Sequence, residues 1–274
     1  MSVTEFAAAV RPVTDDEVEH FRLNGWVKLE GLIDMSIVEG ILARAKARMG
    51  ENPLTLSTDR PNDLRPNDFN WYERWDGCSH HDDWIRSFSH SSPIATVAAR
   101  LMNSAVRFYY DHIFVKVPAR SAGTETPWHQ DLPHHPLDRQ GALTMWMALV
   151  DCPPEKGTMR FLSGSHRSGP LGRYLNRADG INLLDEHPEM AERFEISPPL
   201  HLKPGDATVH DLGIVHYAPP NVTDTPRWVY ALQWLPPHAR YTGAPNHRTD
   251  NHGLELDKPL DHPRFPIIPT DWPR

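Results

Sequence analysis

The N-terminal hundred residues carry apolar positions at helical spacing. Thr14 precedes Glu17 by three residues, which is the pattern of an N-terminal capping box. Asn24 and Gly25 then form a stop signal, because glycine readily adopts the left-handed conformation that ends a helix. Further along, apolar residues recur every three or four positions after Asp34. The predicted elements are a helix that ends at Gly25, a strand over Trp26–Leu29 and a helix from Asp34 to about Met49.

Residues 50–90 are polar with scattered aromatic side chains, and they predict a long loop. Loops of this length in a compact domain are usually functional or partly structured. The aromatic residues of 68–88 could form a lid over a substrate or pack as ordinary anchors, and both interpretations stay open. Beyond this segment, Ser92 as cap and Pro93 at the first position predict a helix that runs to about Met102.

From Val106 onward the pattern changes to short runs rich in β-branched and aromatic residues, each bounded by Pro, Gly or Asp. Helical patterns do not alternate with most of these runs, so a parallel βαβ sheet is disfavoured. We therefore predict a mainly β fold, an antiparallel jelly roll with a helical N-terminal layer. The predicted strands are Val106–Val117, Thr144–Val150, Arg160–Ser163, His201–Lys203, Ala207–His210 and Arg227–Leu235.

The chain of 274 residues is long enough for one large domain with a substantial core. We expect residues 1–274 to form a single domain, in which residues 1–105 supply helical support and a loop region. Residues 106–235 are expected to form the jelly-roll core, with an insertion at 167–197 that is helical in part around 186–194. Residues 236–274 lack periodicity and predict an extended tail that wraps the domain.

Composition narrows the class of function. The chain has 28 Lys and Arg against 36 Asp and Glu, a formal charge of −8, so nucleic-acid binding is disfavoured. The two cysteines, Cys78 and Cys152, cannot build a disulfide framework or a thiolate zinc site. No apolar run approaches the roughly 18 residues of a membrane span, and no signal peptide is evident. We expect a cytoplasmic protein that acts on a small molecule, of undetermined oligomeric state.

Histidine stands out at 17 residues, and the sharpest local motif contains one of them. His129 and Asp131 are alternate residues of an extended segment, so their side chains can converge on one ion. With His216 they would form the facial triad of two imidazoles and one carboxylate that leaves three positions open on non-haem Fe(II). Those positions suffice for a bidentate 2-oxo acid and then O₂. Arg227, eleven residues after His216, could bind the distal carboxylate of 2-oxoglutarate through its planar guanidinium.

The sequence resembles the phytanoyl-CoA dioxygenase family of Fe(II)/2-oxoglutarate-dependent oxygenases over about residues 17–235. The resemblance implies a double-stranded β-helix, which is a jelly roll with its metal at one open end. The order and spacing of the matching segments make the resemblance specific. They are Gly25–Val27, Asp111–Pro118, Trp128–Asp131, Trp146–Leu149, Gly164–Arg167, Pro204–Asp206, His216, Asn221 and Arg227.

The resemblance implies that His129, Asp131 and His216 bind iron and are catalytic, and that Arg227 binds 2-oxoglutarate. It places three further residues beside the cosubstrate: His112, Trp146 and, more weakly, Lys116. For His112 a satisfied core histidine is nearly as good an interpretation, and for Trp146 plain core packing is at least as good.

One position departs from the family. The family often has a Ser or Thr two residues after the distal histidine, where this chain has Ala218. Either another donor such as Tyr217 or Tyr230 replaces that hydroxyl, or the cosubstrate binds more weakly, since a hydrogen bond to a charged group contributes about 1.5–3 kcal/mol.

The expected reaction is oxidation of a small, largely apolar molecule, hydroxylation first, with release of succinate and CO₂. Such a reaction fits the tailoring of a secondary metabolite. Halogenation is disfavoured because Asp131 occupies the position that chloride would take in the halogenating relatives. Desaturation or epimerisation at the same iron and a non-catalytic binding protein are the alternatives. His134 and His135 could reach the mouth of the cavity, although loop histidines are usually solvated.

Overall fold

The N-terminal helices follow the sequence pattern closely. The computed structural model describes residues 3–51, 72–118, 125–139, 141–171 and 182–272. The capping box is present: the Glu17 N–H donates to Thr14 Oγ1 at 3.2 Å, and the Thr14 N–H donates to the Glu17 carboxylate at 2.8 Å. Gly25 ends that helix with φ of 75°, as predicted. The N-terminal elements are α1 (Val3–Ala9), α2 (Asp15–Asn24), β1 (Trp26–Leu29) and α3 (Met35–Met49), with Asp34 capping α3.

The predicted loop over residues 50–90 is wrong for its second half. Residues 72–89 form β2 (Tyr72–Asp76), α4 (Cys78–His81) and α5 (Asp83–Ser89). The aromatic side chains of this segment pack inward: Trp75 and Phe88 are buried in the main core, and Trp84 lies against Phe6. The lid interpretation therefore fails for these three residues. Trp71 lies outside the described residues.

The next helix, α6 (Ser92–Met102), begins one residue before its predicted first position at Pro93, and the capping residue is Ser91 instead of Ser92. Pro93 lies within the first two helical positions, where its missing N–H costs no intrahelical hydrogen bond. The apolar face of α6 packs in the main core through Ile94, Val97, Ala98 and Leu101. This helical layer supports one face of the sheet that follows.

The β region forms two antiparallel sheets, which confirms the jelly-roll prediction. The major sheet has the order β1-β7-β5-β9-β3-β10, and β2 pairs with the same edge of β3 as β10 does. The minor sheet has the order β4-β8-β6. The strands are β3 (Val106–Lys116), β4 (Thr126–His129), β5 (Leu143–Ala148), β6 (Arg160–Phe161), β7 (Ala207–Asp211), β8 (His216–Ala218), β9 (Arg227–Leu235) and β10 (Ile267–Ile268).

Three parts of the strand prediction need correction. The predicted strand over His201–Lys203 is instead a single bridge between Cys152 and Leu202, because prolines at 199 and 204 flank it. The tail contains a short strand that was not predicted, since β10 pairs with β3. The short strands β4 and β8 were not predicted. The insertion holds the helices α7 (Leu183–Glu186) and α8 (Glu189–Arg193), close to the predicted helical part.

Strand register sets what the inner face of the major sheet presents to the cavity. Strand β9 contributes Arg227, Ala231 and Gln233. These residues are separated by even numbers of positions along the strand, so their side chains point to the same side. Ala231 is the smallest of them, so the middle of the strand leaves space. The neighbouring strands align with these positions: Lys116 opposite Arg227, His112 and Trp146 opposite Ala231, and Thr144 opposite Gln233.

Among the described residues, the longest helix is α3 with 15 residues, and no described helix has both the length and the hydropathy needed to cross a membrane. Cys78 and Cys152 are both buried and free. The division of the chain into one domain with an insertion and a tail stays a prediction.

Candidate active site

Three candidate metal ligands meet in the cavity, where β4 pairs with β8. His129 ends β4 and His216 begins β8, and the two residues are register partners, so their ring centroids lie 4.1 Å apart. Asp131 follows β4 in a helical backbone conformation, which turns its carboxylate back toward both rings. Oδ1 of Asp131 lies 3.6 Å from Nε2 of His129 and 3.9 Å from Nε2 of His216.

Main-chain carbonyls orient both imidazole rings. Nδ1 of His129 lies 2.8 Å from the carbonyl oxygen of Pro127, and Nδ1 of His216 lies 3.1 Å from that of Ile214. A carbonyl oxygen only accepts, so each Nδ1 carries the proton and donates it. Each Nε2 then keeps its lone pair and faces Asp131. This arrangement, in which the second ring nitrogen donates to a protein oxygen, is typical of histidines that bind metals.

The other oxygen of Asp131 is held by protein donors. Its Oδ2 accepts from Thr144 Oγ1 at 3.1 Å and lies 3.3 Å from Nε2 of His210. Burial opposes ionisation of this carboxyl group, but the neighbouring His129 and His210 side chains hold its pKa well below its usual range. Asp131 is therefore a carboxylate with one oxygen fixed and the other available.

The donor set fits a first-row transition metal. One atom from each of His129, Asp131 and His216 lies within 4.8 Å of the others. Two donor atoms that share one such ion at about 2.1 Å are roughly 3–4 Å apart, which matches the two distances from Asp131 Oδ1. Two imidazoles and one carboxylate in this compact arrangement favour an open-sided Fe(II) site over a closed structural zinc site.

His210 was missed by the sequence reasoning. It lies on β7, opposite Thr144 of β5, and it is 1% exposed. Its ring centroid is 4.7 Å from that of His216. The alternation of β7 places Thr208 and His210 on the same side, which was the available signal, but no motif marked the residue.

Arg227 lies deep in the cavity at the start of β9, as predicted. Its guanidinium lies against two aromatic rings, 5.2 Å from the centroid of Phe114 and 5.1 Å from that of Trp146. One of its terminal nitrogens donates to the carbonyl oxygen of Gly157. The side chain is 1% exposed, so this cation is fixed in a pocket that excludes water.

Lys116 is the register partner of Arg227 and lies beside it. Its Nζ donates to the carbonyl oxygens of Ala218 and Pro219, at 3.2 and 2.5 Å. Burial and the charge of Arg227 lower the pKa of Lys116 to about 6. An incoming carboxylate at this end of the cavity would therefore meet one permanent cation and one amine that it could help to charge.

Neither Tyr217 nor Tyr230 is placed to replace the hydroxyl that is missing at Ala218. Tyr217 points away from the cavity and stacks on Trp128, with ring centroids 5.2 Å apart. The hydroxyl of Tyr230 donates to Asp111 on the other side of the sheet, at 2.7 Å. Neither tyrosine lines the cavity, so both suggestions are wrong. The amine of Lys116 reaches the Ala218 backbone instead.

His112 and Trp146 both line the cavity beside Ala231. Trp146 also belongs to a hydrophobic cluster, so the core-packing interpretation and a cavity position both hold for it. Its indole N–H is buried and has no acceptor among the described residues. This donor is free to meet a ligand between Arg227 and the candidate metal ligands.

The opposite end of the cavity is polar, which the sequence did not indicate. His134 and His135 line it, and His135 is 6% exposed, so a solvated loop is the wrong interpretation for that residue. Three further lining residues were missed: Arg74, Gln233 and Arg248. They come from β2, β9 and the tail, so no local motif could link them.

Comparison with known proteins finds a family match over most of the chain. The family model described as phytanoyl-CoA dioxygenase (PhyH) matches residues 21–229. A relative from Rattus norvegicus, phytanoyl-CoA dioxygenase domain-containing protein 1, is 27% identical over 162 residues, which cover 57% of this chain and 54% of that protein. The chain thus matches about half the length of such curated relatives.

Two solved structures share the fold. The non-haem α-ketoglutarate-dependent carbocyclase SnoK from nogalamycin biosynthesis is 24% identical, with a TM-score of 0.76 over 94% of this chain and 97% of that one. The epimerase SnoN, in complex with Fe³⁺, α-ketoglutarate and nogalamycin RO, is 24% identical, with a TM-score of 0.73 over 93% and 98% of the two chains. At this identity the likeness establishes the jelly-roll fold.

Proposed function

The chain belongs to the phytanoyl-CoA dioxygenase family, and on that premise we propose that it is an Fe(II)/2-oxoglutarate-dependent dioxygenase that hydroxylates a small molecule. The observation that carries the proposal is the cluster of His129, Asp131 and His216, with both Nε2 atoms directed at one carboxylate oxygen. In the proposal these three residues hold the iron and leave three positions open.

Iron and 2-oxoglutarate together supply the oxidising chemistry with O₂, releasing succinate and CO₂. The chain's own task is to bind and orient the reactants. Arg227 would bind the distal carboxylate of 2-oxoglutarate bidentately, in a pocket walled by Phe114 and Trp146. Lys116 and the Trp146 indole N–H would add donors along the same side.

Thr144 and His210 act through Asp131 in this proposal. By holding Oδ2, they leave Oδ1 as the oxygen that faces the two histidines. They are positioning residues, since neither belongs to the proposed ligand set. Burial of the surrounding histidines, His129, His210 and His216, limits the access of water to the reacting centre and strengthens each electrostatic contact.

The two similar structures support a substrate from secondary metabolism, since both proteins come from nogalamycin biosynthesis. They also show that this fold carries cyclisation and epimerisation in other chains. We propose hydroxylation here because it is the simplest outcome of hydrogen abstraction at a bound C–H group. Once a substrate is found, the structure of its product distinguishes hydroxylation from cyclisation and epimerisation.

Succinate release tests the proposal. The purified protein is given Fe(II), O₂ and 2-oxoglutarate, and succinate is measured with a panel of candidate substrates. We expect succinate from wild type, a near-complete loss in Asp131→Ala, and no loss in Asp16→Ala, which removes an exposed carboxylate on α2. Full turnover in Asp131→Ala would remove the basis for the proposed iron site.

A further inference from the structure

The end of the cavity opposite Arg227 contains a buried cation with no carboxylate within salt-bridge distance among the described residues. Arg248 is 8% exposed and lines the cavity. One terminal nitrogen lies 3.3 Å from Oε1 of Gln233 and 3.2 Å from Nδ1 of His135, and both partners are neutral acceptors there. The guanidinium stacks 3.9 Å from the centroid of the Tyr110 ring.

Part of the Arg248 hydrogen-bonding capacity is unused. Its Nε–H is buried and has no acceptor among the described residues. A buried guanidinium with an unsatisfied donor and no counter-ion is costly, and proteins usually balance such a charge with a partner. The position of this donor on the cavity wall allows a ligand to be that partner.

The neighbouring Arg74 is not a second unbalanced cation in this part of the cavity. Arg74 lines the cavity near Arg248, but Asp76 lies 2.9 Å from its guanidinium and balances it. Burial opposes ionisation of Asp76, yet the positive charge of Arg74, with a further contribution from Arg248, holds its pKa well below its usual range. With the Arg74 and Asp76 charges cancelling, this wall keeps the single positive charge of Arg248.

Arg248 is well separated from the proposed cosubstrate anchor. Its partner Gln233 and the anchor Arg227 are six residues apart on β9, roughly 20 Å at the usual rise of a strand. The two cations therefore lie at opposite ends of the cavity, with Ala231 and the candidate metal ligands between them. One 2-oxoglutarate bound at Arg227 cannot also satisfy Arg248.

A chain of hydrogen bonds links Arg248 to the candidate iron ligand. Gln233 Nε2 donates to Thr144 Oγ1 at 3.2 Å, and Thr144 donates to Asp131 at 3.1 Å. The guanidinium is thus held at a fixed position relative to the proposed iron site. A small molecule bound through Arg248 would present a C–H group at a reproducible distance from that site.

We propose that Arg248 binds an oxyanion of the substrate, a carboxylate or a phosphate, and so sets the substrate class as a small acid. This inference rests on the proposed function and goes beyond it. It revises the expectation of a largely apolar substrate, because a buried cation lines this end of the cavity. The guanidinium matches such groups in shape and charge.

Binding of acid and amide probes tests the inference. Wild-type protein is loaded anaerobically with Fe(II) and saturating 2-oxoglutarate, and the visible charge-transfer band of that complex is recorded. Benzoate, phenyl phosphate and benzamide are then titrated by calorimetry. We expect benzoate or phenyl phosphate to bind at least tenfold more tightly than benzamide, and the tighter of the two identifies the oxyanion.

Variants assign that preference to Arg248. We expect Arg248→Gln to weaken acid binding at least tenfold while benzamide binding is unchanged, and Arg248→Lys, which keeps the charge, to recover part of it. The matched control is Arg240→Gln, an arginine on the same tail whose side chain is 43% exposed. The charge-transfer band in each variant shows that the rest of the site is intact.

The inference would be overturned by equal affinity for acid and amide, by acid affinity that survives Arg248→Gln, or by no acid binding. Loss of the band on adding acid would mean displacement of 2-oxoglutarate from Arg227, which also contradicts it. In all of these cases, a charge-transfer band recorded before any acid is added would still support the proposed function. Absence of the band before any acid is added would instead mean that the proposed function has failed.

Discussion

At the level of single residues, the backbone does most of the orienting in the candidate iron site. The carbonyls of Pro127 and Ile214 set the tautomers of His129 and His216. The identities of the three candidate ligands and of Arg227 could be predicted from motif and spacing. His210 could not, because its contact with Asp131 depends on the pairing of β7 with β5.

Arg227 allows a direct test of the cosubstrate pocket. Replacing it by Gln removes the charge but keeps an amide donor. A hydrogen bond to a charged group contributes about 1.5–3 kcal/mol, so we expect the Kd for 2-oxoglutarate to rise about 10- to 100-fold. The Kd is measured by anaerobic titration of the charge-transfer band, with Arg240→Gln as the control, and an unchanged Kd would exclude this role.

Lys116 predicts a pH dependence of stability in the protein without cosubstrate. Its pKa is about 6 in the folded state against an ordinary value of 10.5. Between these values the unfolded chain binds more protons, so this residue makes stability rise with pH across that window. The slope is at most about 1.4 kcal/mol per pH unit.

The Lys116→Met variant isolates that contribution. We expect wild type to gain stability relative to the variant as pH increases from 6 to 9, measured by urea unfolding at each pH. A constant difference between the two proteins over this range would contradict the depressed pKa.

At the level of elements, the site depends on strands that sequence patterns describe poorly. Strand β8 has three residues and ends before two prolines, and β4 contains Pro127, so neither shows a clear alternation. Their pairing nevertheless places His129 opposite His216. The long strands β3 and β9 were predictable because nine or more residues of β-forming character override local interruptions.

A buried network joins three elements behind the site. Asp111 on β3 accepts from Tyr230 Oη on β9 at 2.7 Å and from the backbone N–H and hydroxyl of Ser79 on α4, at 2.9 and 3.0 Å. Burial raises the pKa of Asp111 to about 6 even though these donors favour the carboxylate. The network therefore fixes β3 against β9 and α4 at the level of the cavity.

We expect Tyr230→Phe to lower the free energy of unfolding by about 1.5–3 kcal/mol, because the buried Asp111 carboxylate loses a donor. Chemical denaturation measures the change. Tyr217→Phe removes the hydroxyl of a half-exposed tyrosine and serves as the control, with an expected change within about 0.5 kcal/mol. Equal effects of the two substitutions would show that the Asp111 contact adds nothing.

At the level of the whole molecule, the jelly roll followed from the run of short β patterns after Val106. The polar wall of the cavity did not, since Arg74, Gln233 and Arg248 are brought together from distant segments. Arg248 in particular lies in a tail without periodicity. Tertiary contacts hold that tail: Nη1 of Arg107 on β3 donates to the carbonyl oxygens of Leu260 and Phe265, at 2.8 and 2.5 Å.

Loss of the Arg107 contact should loosen the tail before the rest of the fold. We expect Arg107→Met to be cleaved faster than wild type within residues 236–272 in limited proteolysis, since local opening exposes the chain. The control is Arg22→Met, whose side chain is 66% exposed. Unchanged cleavage of the tail in Arg107→Met would mean that β10 and the other packing suffice to hold it.

The central claim is that His129, Asp131, His216 and Arg227 together bind Fe(II) and 2-oxoglutarate. Anaerobic titration of the wild-type protein tests it most directly, since neither a substrate nor O₂ is needed. We expect a visible charge-transfer band that appears when 2-oxoglutarate is added to the Fe(II)-loaded protein and saturates at one equivalent. Iron binding without any such band at saturating 2-oxoglutarate would contradict it.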